Sequence, residues 1–417
     1  MSVSYATIVS ANYLAYAKVL AASLAQHVPG ASLTVLLVER ASDALREQVR
    51  RAGLQVLFAE DLGLPDLERL AYKYDILELN TALKPSLLLH LFRSGHQRVA
   101  YVDPDIQFHG PSDAIEQALD GAEIVLTPHS CSPLLDGARP SDVDFLRNGV
   151  FNLGFAAFRQ GPQSLALLTW WESRCLSMGF NDVGFGTFVD QKWLDLAPAY
   201  FDGVHVLKHP GCNVAYWNLH ERHLTRREGR LWAGDQALVF FHFSGVDPSQ
   251  PESLSRHQTR HSLADFPLLV DLVRAYCKAL LDAGHAGYRQ QPYSFGALHD
   301  GTVVTALMRR ALLCDEGALE VDPFDPESRL QRELRACGVA HGQTAPLETA
   351  KGITTHNLGQ QGRRLVWVNR GVRLLARLLG PERAFMLLSY AAVLTRESHF
   401  ASVLMDKPLR FEHRQRR

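Results

Sequence analysis

The chain has 417 residues, 47% hydrophobic and 21% charged, a soluble globular composition with core enough for one large domain or two ordinary ones. Its formal net charge of −1 argues against a general nucleic-acid binder. The six cysteines are scattered without C-x-x-C or zinc spacing, as buried thiols in a reducing cytoplasm would be. Met1–Ala11 lacks the basic and apolar regions of a signal peptide, and no uncharged apolar run is long enough to span a bilayer.

Tyr5–Ser10 reads as a strand, followed by a helix over Tyr13–Ala25. Leu33–Val38 and Leu54–Ala59 read as two further strands, with a helix over Ser42–Ala52 between them. This alternation predicts an α/β fold, a mainly parallel sheet with helices on both faces. Asp75–Phe92 reads as a helix carrying Lys84, and it leads into the apolar run Arg98–Val102. That run ends in Asp103-Pro104-Asp105, where the proline stops regular pairing. Two carboxylates closing a buried strand are costly unless neutralised, and a hard divalent cation would do so. On these residues alone a solvated turn is the other reading.

Ligands of open α/β sheets collect beyond the carboxyl ends of the strands, where both Ser10-Ala11-Asn12-Tyr13 and the Asp pair fall. The first loop carries no G-x-G-x-x-G, and no phosphate-binding G-x-x-x-x-G-K-[ST] occurs anywhere. Glu123–Thr127 and Val150–Phe158 read as strands, Ser164–Cys175 as a helix, and Phe188–Leu194 as a helix bearing Asp190-Gln191. Val204–Leu207 and Leu238–Phe243 are short strands, the latter entering His242-Phe243-Ser244-Gly245. Beyond about residue 260 the pattern turns helical, over Phe266–Ala283, Val303–Leu313 and Glu327–Ala336. Gly338–Gln361 reads as a connector, and Arg363–Leu404 as two apolar helices split at Gly380-Pro381. This divides the chain into 1–260 and a helical region 261–417.

Asp103-Pro104-Asp105, Asn152-Leu153-Gly154, Asp190-Gln191 and His242-Phe243-Ser244-Gly245 occur in that order. The ordered set resembles the GT-A-type glycosyltransferases, and among them the family 8-like retaining group, over roughly residues 3–260. The resemblance implies a GT-A, Rossmann-like mixed sheet and a nucleotide-sugar donor, linked to UDP, GDP or TDP. It implies Mn²⁺ or Mg²⁺ held by Asp103, Asp105 and His242, bridging the donor diphosphate. Asn152 and Asp190-Gln191 would surround the donor sugar, with Asp190 the nearest carboxylate should retention proceed by double displacement. A front-face route, in which the departing phosphate takes the acceptor proton, is equally open.

Ser10, Asn12 and Tyr13 would receive the nucleoside, with Gly154 and Gly245 lining the donor site and Lys84 reaching the diphosphate. Ordinary helix capping also accounts for Asn12 and for Asp190. The family's Lys-Pro-Trp after the histidine segment is missing, replaced by Val246-Asp247-Pro248, so Lys208 or Lys84 would have to serve. Asn213, Tyr216 and Trp217 lie in an aromatic- and amide-rich stretch suited to a sugar or acceptor pocket, or equally to a buried core.

From residue 361 onward there are 12 Lys and Arg against 4 Asp and Glu. Helices 363–404 therefore suit either an anionic membrane surface or packing on the catalytic domain. Packing is the favoured reading, because Phe385–Leu394 is as apolar as a core. A membrane contact would suit a lipid-linked acceptor at the inner face, alongside free glycan or protein acceptors. A sugar nucleotidyltransferase, or a non-catalytic carbohydrate-binding scaffold, are the alternatives. The first loop lacks the Gly- and Arg-rich character of the former.

Overall fold

The computed structural model describes residues 2–314, 322–340 and 362–409. The chain divides into two compact units: Met1–Leu67 with Ile76–Ser294, and Glu68–Asp75 with Phe295–Arg417.

The first unit contains the strands β1 (Ser4–Val9), β2 (Ser32–Leu37), β3 (Gln55–Phe58), β4 (Arg98–Val102), β5 (Ile106–Phe108), β6 (Ile124–Pro128), β7 (Phe151–Arg159) and β8 (Val204–Val206). Seven of them form one sheet in the order β3-β2-β1-β4-β7-β6-β8. All run in one direction except β7, which is antiparallel to both β4 and β6. The expected mixed, mainly parallel sheet is present. Its strands are apolar because both faces are covered. Tyr5, Val102, Phe108 and Phe155 pack on one side, and Val9, Leu14, Val35 and Phe58 on the other.

A three-stranded sheet of β9 (Leu224–Arg227), β10 (Arg230–Ala233) and β11 (Gln236–Ala237) follows, and β12 (Phe240–His242) then pairs antiparallel with β5. The expected strand Leu238–Phe243 is thus shorter and lies outside the main sheet.

Two expected elements differ, and a third is present as expected. The helix over Asp75–Phe92 is broken into Ile76–Ala82 and Lys84–Arg93, because Pro85 has no N–H to continue an α-helix and instead occupies the first turn of the second piece. Asp190-Gln191 opens a 3₁₀ helix, Gln191–Leu196. The helix Pro267–Asp282 belongs to the first unit, where Leu269, Val273 and Tyr276 pack with Phe241 and Phe243. The division accordingly falls after Ser294, whereas the sequence pattern changes near residue 260.

The second unit holds the helices Ala306–Ala311, Arg329–Ala336, Gly362–Leu379, Pro381–Leu394 and Glu397–Met405. Buried Arg309 donates to the carbonyls of Ala71, Tyr72, Tyr74 and Phe295 at 2.8, 3.0, 2.6 and 2.8 Å. That guanidinium fastens the segment 68–75 into this unit. The apolar C-terminal helix does not form a core: Phe385, Met386 and Tyr390 are 71%, 69% and 59% exposed. An apolar sequence alone does not distinguish an interior from a face awaiting a partner. Residues 341–361, most of the expected connector, lie outside the described residues. No helix among the described residues is long and apolar enough to cross a membrane.

Candidate active site

The site is built at the carboxyl end of β4. The Asp103 N–H donates to the Gly154 carbonyl of β7 at 2.7 Å, and Ile106 N–H returns to the Asp103 carbonyl at 3.1 Å, turning the chain into β5. The pairing of β5 with β12 sets His242 opposite Ile106, and Phe243 N–H donates to the Asp105 carbonyl at 2.9 Å. Backbone pairing thus joins two distant segments. His242 Nε2 lies 3.0 Å from Asp105 Oδ1 and 3.9 Å from Asp103 Oδ2. One ligand atom from each of the three residues lies within 4.8 Å of the others.

Two carboxylates and an imidazole so arranged fit a divalent cation. Burial pushes the Asp105 carboxyl up, but the His242 charge and hydrogen bond outweigh it and hold the group below its ordinary value. Burial lowers His242, and Asp105 more than reverses this, so the imidazole is raised. Gly154 is glycine for a steric reason. A Cβ there would sit 2.3 Å from His242 Cε1 and 2.9 Å from Asn152 Oδ1.

Lys84 is buried behind this cluster. Its Nζ donates to the Leu153 carbonyl at 2.9 Å and lies 3.1 Å from Asp190 Oδ2, 3.5 Å from Asp103 Oδ1 and 4.4 Å from the centre of the Tyr101 ring. Burial lowers the ammonium and the two carboxylates outweigh it, leaving it raised. Burial pushes Asp190 up to about 6 in spite of Lys84. Tyr101 Oη donates to Asp103 Oδ1 at 2.8 Å.

Two cavities flank Asp105, and both are also lined by Asn12 and Tyr13. One, of about 300 Å³, is mainly apolar, with Ile8, Val9, Ile76 and Leu77 in its wall. The other, of about 290 Å³, runs along Ser244–Pro248, Gly245 included, and carries Arg256, His257, His285 and Arg289. Asn12 Oδ1 is buried without a hydrogen-bond partner among the described residues, which leaves an acceptor open beside both cavities. Tyr13 is 41% exposed, and its ring stacks on Tyr16 at 4.6 Å.

The other expected site residues stand back from these cavities. Ser10 is tied to Asn80, whose Nδ2 donates to Ser10 Oγ at 3.0 Å. Gln191 Oε1 accepts from Leu153 N–H at 3.0 Å, and its Nε2 donates to the Asn148 carbonyl at 3.0 Å. Asn152 and Asn213 bond to each other at 3.0 Å in a buried amide cluster. Trp217 is buried with its ring edge-on to His242, 5.1 Å between centroids, and Tyr216 packs on Trp217. Lys208 is exposed and lines neither cavity, and Lys84 is committed to Asp190 and Asp103. The cations at the cavity are Arg256 and Arg289, which sequence reasoning passed over. For Arg256 the signal was the density of Arg and His over residues 255–261, and Arg289 had no such pattern around it. It also passed over His129, at the carboxyl end of β6 behind Asn152.

Six strands running one way, a single reversed strand beside β4, and an Asp-x-Asp leaving β4 to face a histidine decide the architecture. The fold is a GT-A fold. No protein-family model matches the chain. The uncharacterised Bacillus subtilis (strain 168) protein YfnF is 28% identical over 251 residues, 59% of this chain and 82% of its own length. YfnD of the same organism is 26% identical over 245 residues, 58% of this chain and 77% of its own. Among solved structures, the GT-A chain aligns with the galactosyltransferase LgtC in complex with donor and acceptor sugar analogues, at 15% identity and TM-score 0.38, over 66% of this chain and 95% of that one. It also aligns with the glycosyltransferase GlyE of Streptococcus pneumoniae TIGR4, at 12% identity and TM-score 0.39, over 72% of this chain and 67% of that one.

Proposed function

We propose that this protein is a metal-dependent glycosyltransferase that moves a sugar from a nucleoside-diphosphate donor to a glycan, lipid-linked or protein acceptor with retention. The observation that carries the reading is the convergence of Asp103 and His242 on Asp105, which lines two cavities that also share Asn12 and Tyr13. The apolar cavity suits a nucleoside, with Tyr13 available to stack and Asn12 Oδ1 to accept from a base or ribose. Arg256 and Arg289 suit phosphate oxygens and take the place of the missing lysine.

Asp103, Asp105 and His242 would hold Mn²⁺ or Mg²⁺, with the imidazole favouring Mn²⁺. The ion's contribution, when bound, is to neutralise charge on the departing diphosphate. This chain's residues orient the donor and exclude water around it. Asp190 is 1% exposed and paired with Lys84, a poor position for a nucleophile, and this favours the front-face route. In that route the bond from anomeric carbon to phosphate oxygen breaks, the acceptor oxygen bonds the same face, and the acceptor proton passes to the leaving phosphate. Lys84 and Asp190 then serve to hold Asp103.

The exposed apolar and arginine-bearing surface of helices 362–405 supports peripheral contact with an anionic bilayer, at the cytoplasmic face where such donors are available.

The test is thermal stabilisation by UDP, GDP, TDP and CMP with and without Mn²⁺. A diphosphate nucleotide is expected to raise the melting temperature only when metal is present, and Asp105→Ala to abolish that rise while the far-UV spectrum stays native. No shift with any nucleotide, or metal-dependent turnover surviving in Asp105→Ala, rejects the assignment.

A further inference from the structure

Behind the candidate metal ligands lies a chain of buried polar side chains that none of the roles above uses. It starts at the Val150 carbonyl, which can only accept, 3.4 Å from His129 Nδ1. His129 Nε2 is 3.4 Å from Asn152 Nδ2. Asn213 Nδ2 donates to Asn152 Oδ1 at 3.0 Å and to Thr127 Oγ1 at 2.9 Å. Asn213 Oδ1 lies 3.2 Å from His242 Nδ1.

Each link fixes the next. A proton on His129 Nδ1, facing Val150, leaves Nε2 as an acceptor. Asn152 must then present its NH₂ group to His129 and its oxygen to Asn213. Asn213 in turn presents its NH₂ group to Asn152 and its oxygen to His242. Asn213 Oδ1 can only accept, so it holds the proton of a neutral His242 on Nδ1 in competition with Asp105, 3.0 Å from Nε2.

We propose that Asn213, backed by Asn152 and His129, is a positioning relay that fixes the ring and tautomer of His242 so that Nε2 is available to a divalent cation. Two independent features fit it. Asn213 is fully buried and holds a left-handed backbone, φ +57°, an uncommon conformation kept where the surroundings fix it. Its own carbonyl accepts from Asn218 Nδ2 at 3.0 Å, which braces that conformation. Burial lowers His129 to about 4, so it is neutral at physiological pH, as an acceptor at Nε2 requires. Outer partners of this kind commonly change metal affinity about 10- to 100-fold when removed.

The inference rests on the metal reading of the triad, and the experiment separates the two. The full chain, labelled with ¹⁵N-histidine, is examined metal-free at pH 9 by long-range ¹H–¹⁵N correlation, with the His242 signal assigned by its loss in His242→Gln. Mn²⁺ affinity is measured alongside by paramagnetic resonance titration. The relay predicts His242 protonated on Nδ1 in the unmodified protein. It predicts that His129→Gln, which can both donate to Val150 and accept from Asn152, retains tautomer and affinity. His129→Phe and Asn213→Ala should mix the tautomers and weaken Mn²⁺ binding about 10-fold or more.

A His242 proton on Nε2 in the unmodified protein, or a His129→Phe chain with unchanged tautomer and affinity, overturns the proposal. The first measurement needs no relay variant, so misfolding of a variant does not protect it. Absence of Mn²⁺ binding with the Nδ1 tautomer intact would reject the metal and leave the relay standing.

Discussion

At the scale of single residues, the site depends on what is small as much as on what is charged. Gly154 leaves room for the His242 ring, so Gly154→Ala should push the imidazole aside and abolish nucleotide stabilisation by Mn²⁺. Overpacking at such a position costs about 1–3 kcal/mol, which urea denaturation would read. Asp190 gives a pH dependence. Its folded value of about 6 lies above that of an unfolded aspartate, so between about pH 4 and 6 the native state holds more proton than the unfolded one. The sign follows: its contribution falls as pH rises through that window. The unfolding free energy of the parent minus that of Asp190→Asn should therefore drop by about 2–3 kcal/mol from pH 4 to pH 7, measured by chemical denaturation. Asp103 and Asp105 were legible in the sequence because a strand ending in two carboxylates is a physical anomaly. His129 was not, because a lone histidine after a strand carries no pattern until the amides it faces are placed. Arg256 and Arg289 were hidden for the same reason: they come from separate loops that only the fold makes neighbours.

At the scale of elements, the first half of the sheet follows the hydrophobic pattern closely, since β1, β2 and β4 are local apolar runs separated by amphipathic helices. The second half was legible as strands but not as pairings. An antiparallel β7 wedged between parallel neighbours is set by contacts across the sheet, and the Phe151–Phe158 run reads the same in either direction. The reversal matters for the site, because it brings the start of β7, with Asn152 and Gly154, beside the end of β4. The helix Pro162–Met178 that follows is capped from outside. Glu123 Oε2 accepts from Gln163 N–H at 2.8 Å and Ser164 N–H at 3.0 Å, a carboxylate at the positive end of the helix. Glu123→Ala should cost about 1 kcal/mol of unfolding free energy in urea without altering Mn²⁺ affinity.

At the scale of the whole molecule, the C-terminal helices are the feature that composition misjudged. Trp367 and Leu378 are 70% and 74% exposed on a helix that also carries Arg370, Arg373 and Arg377. The full chain should co-sediment with vesicles containing phosphatidylglycerol and not with purely zwitterionic ones. Replacing those three arginines by glutamate should release it, at about 1 kcal/mol per charge. Equal binding to both kinds of vesicle, or to neither, would count against a bilayer contact. The interleaving of the two units reaches beyond binding. A gene cut after the codon for Ser294 would still encode residues 68–75 but not Arg309, stripping three backbone carbonyls of the donor they share. The same cut removes Phe324 and Gln331, which pack on and hydrogen-bond buried Tyr72, and leaves that ring to water. A chain ending at Ser294 is therefore expected to express poorly by itself, and shuffling either part with a homologue would have to carry an eight-residue insert from one parent with a distant arginine from the same one.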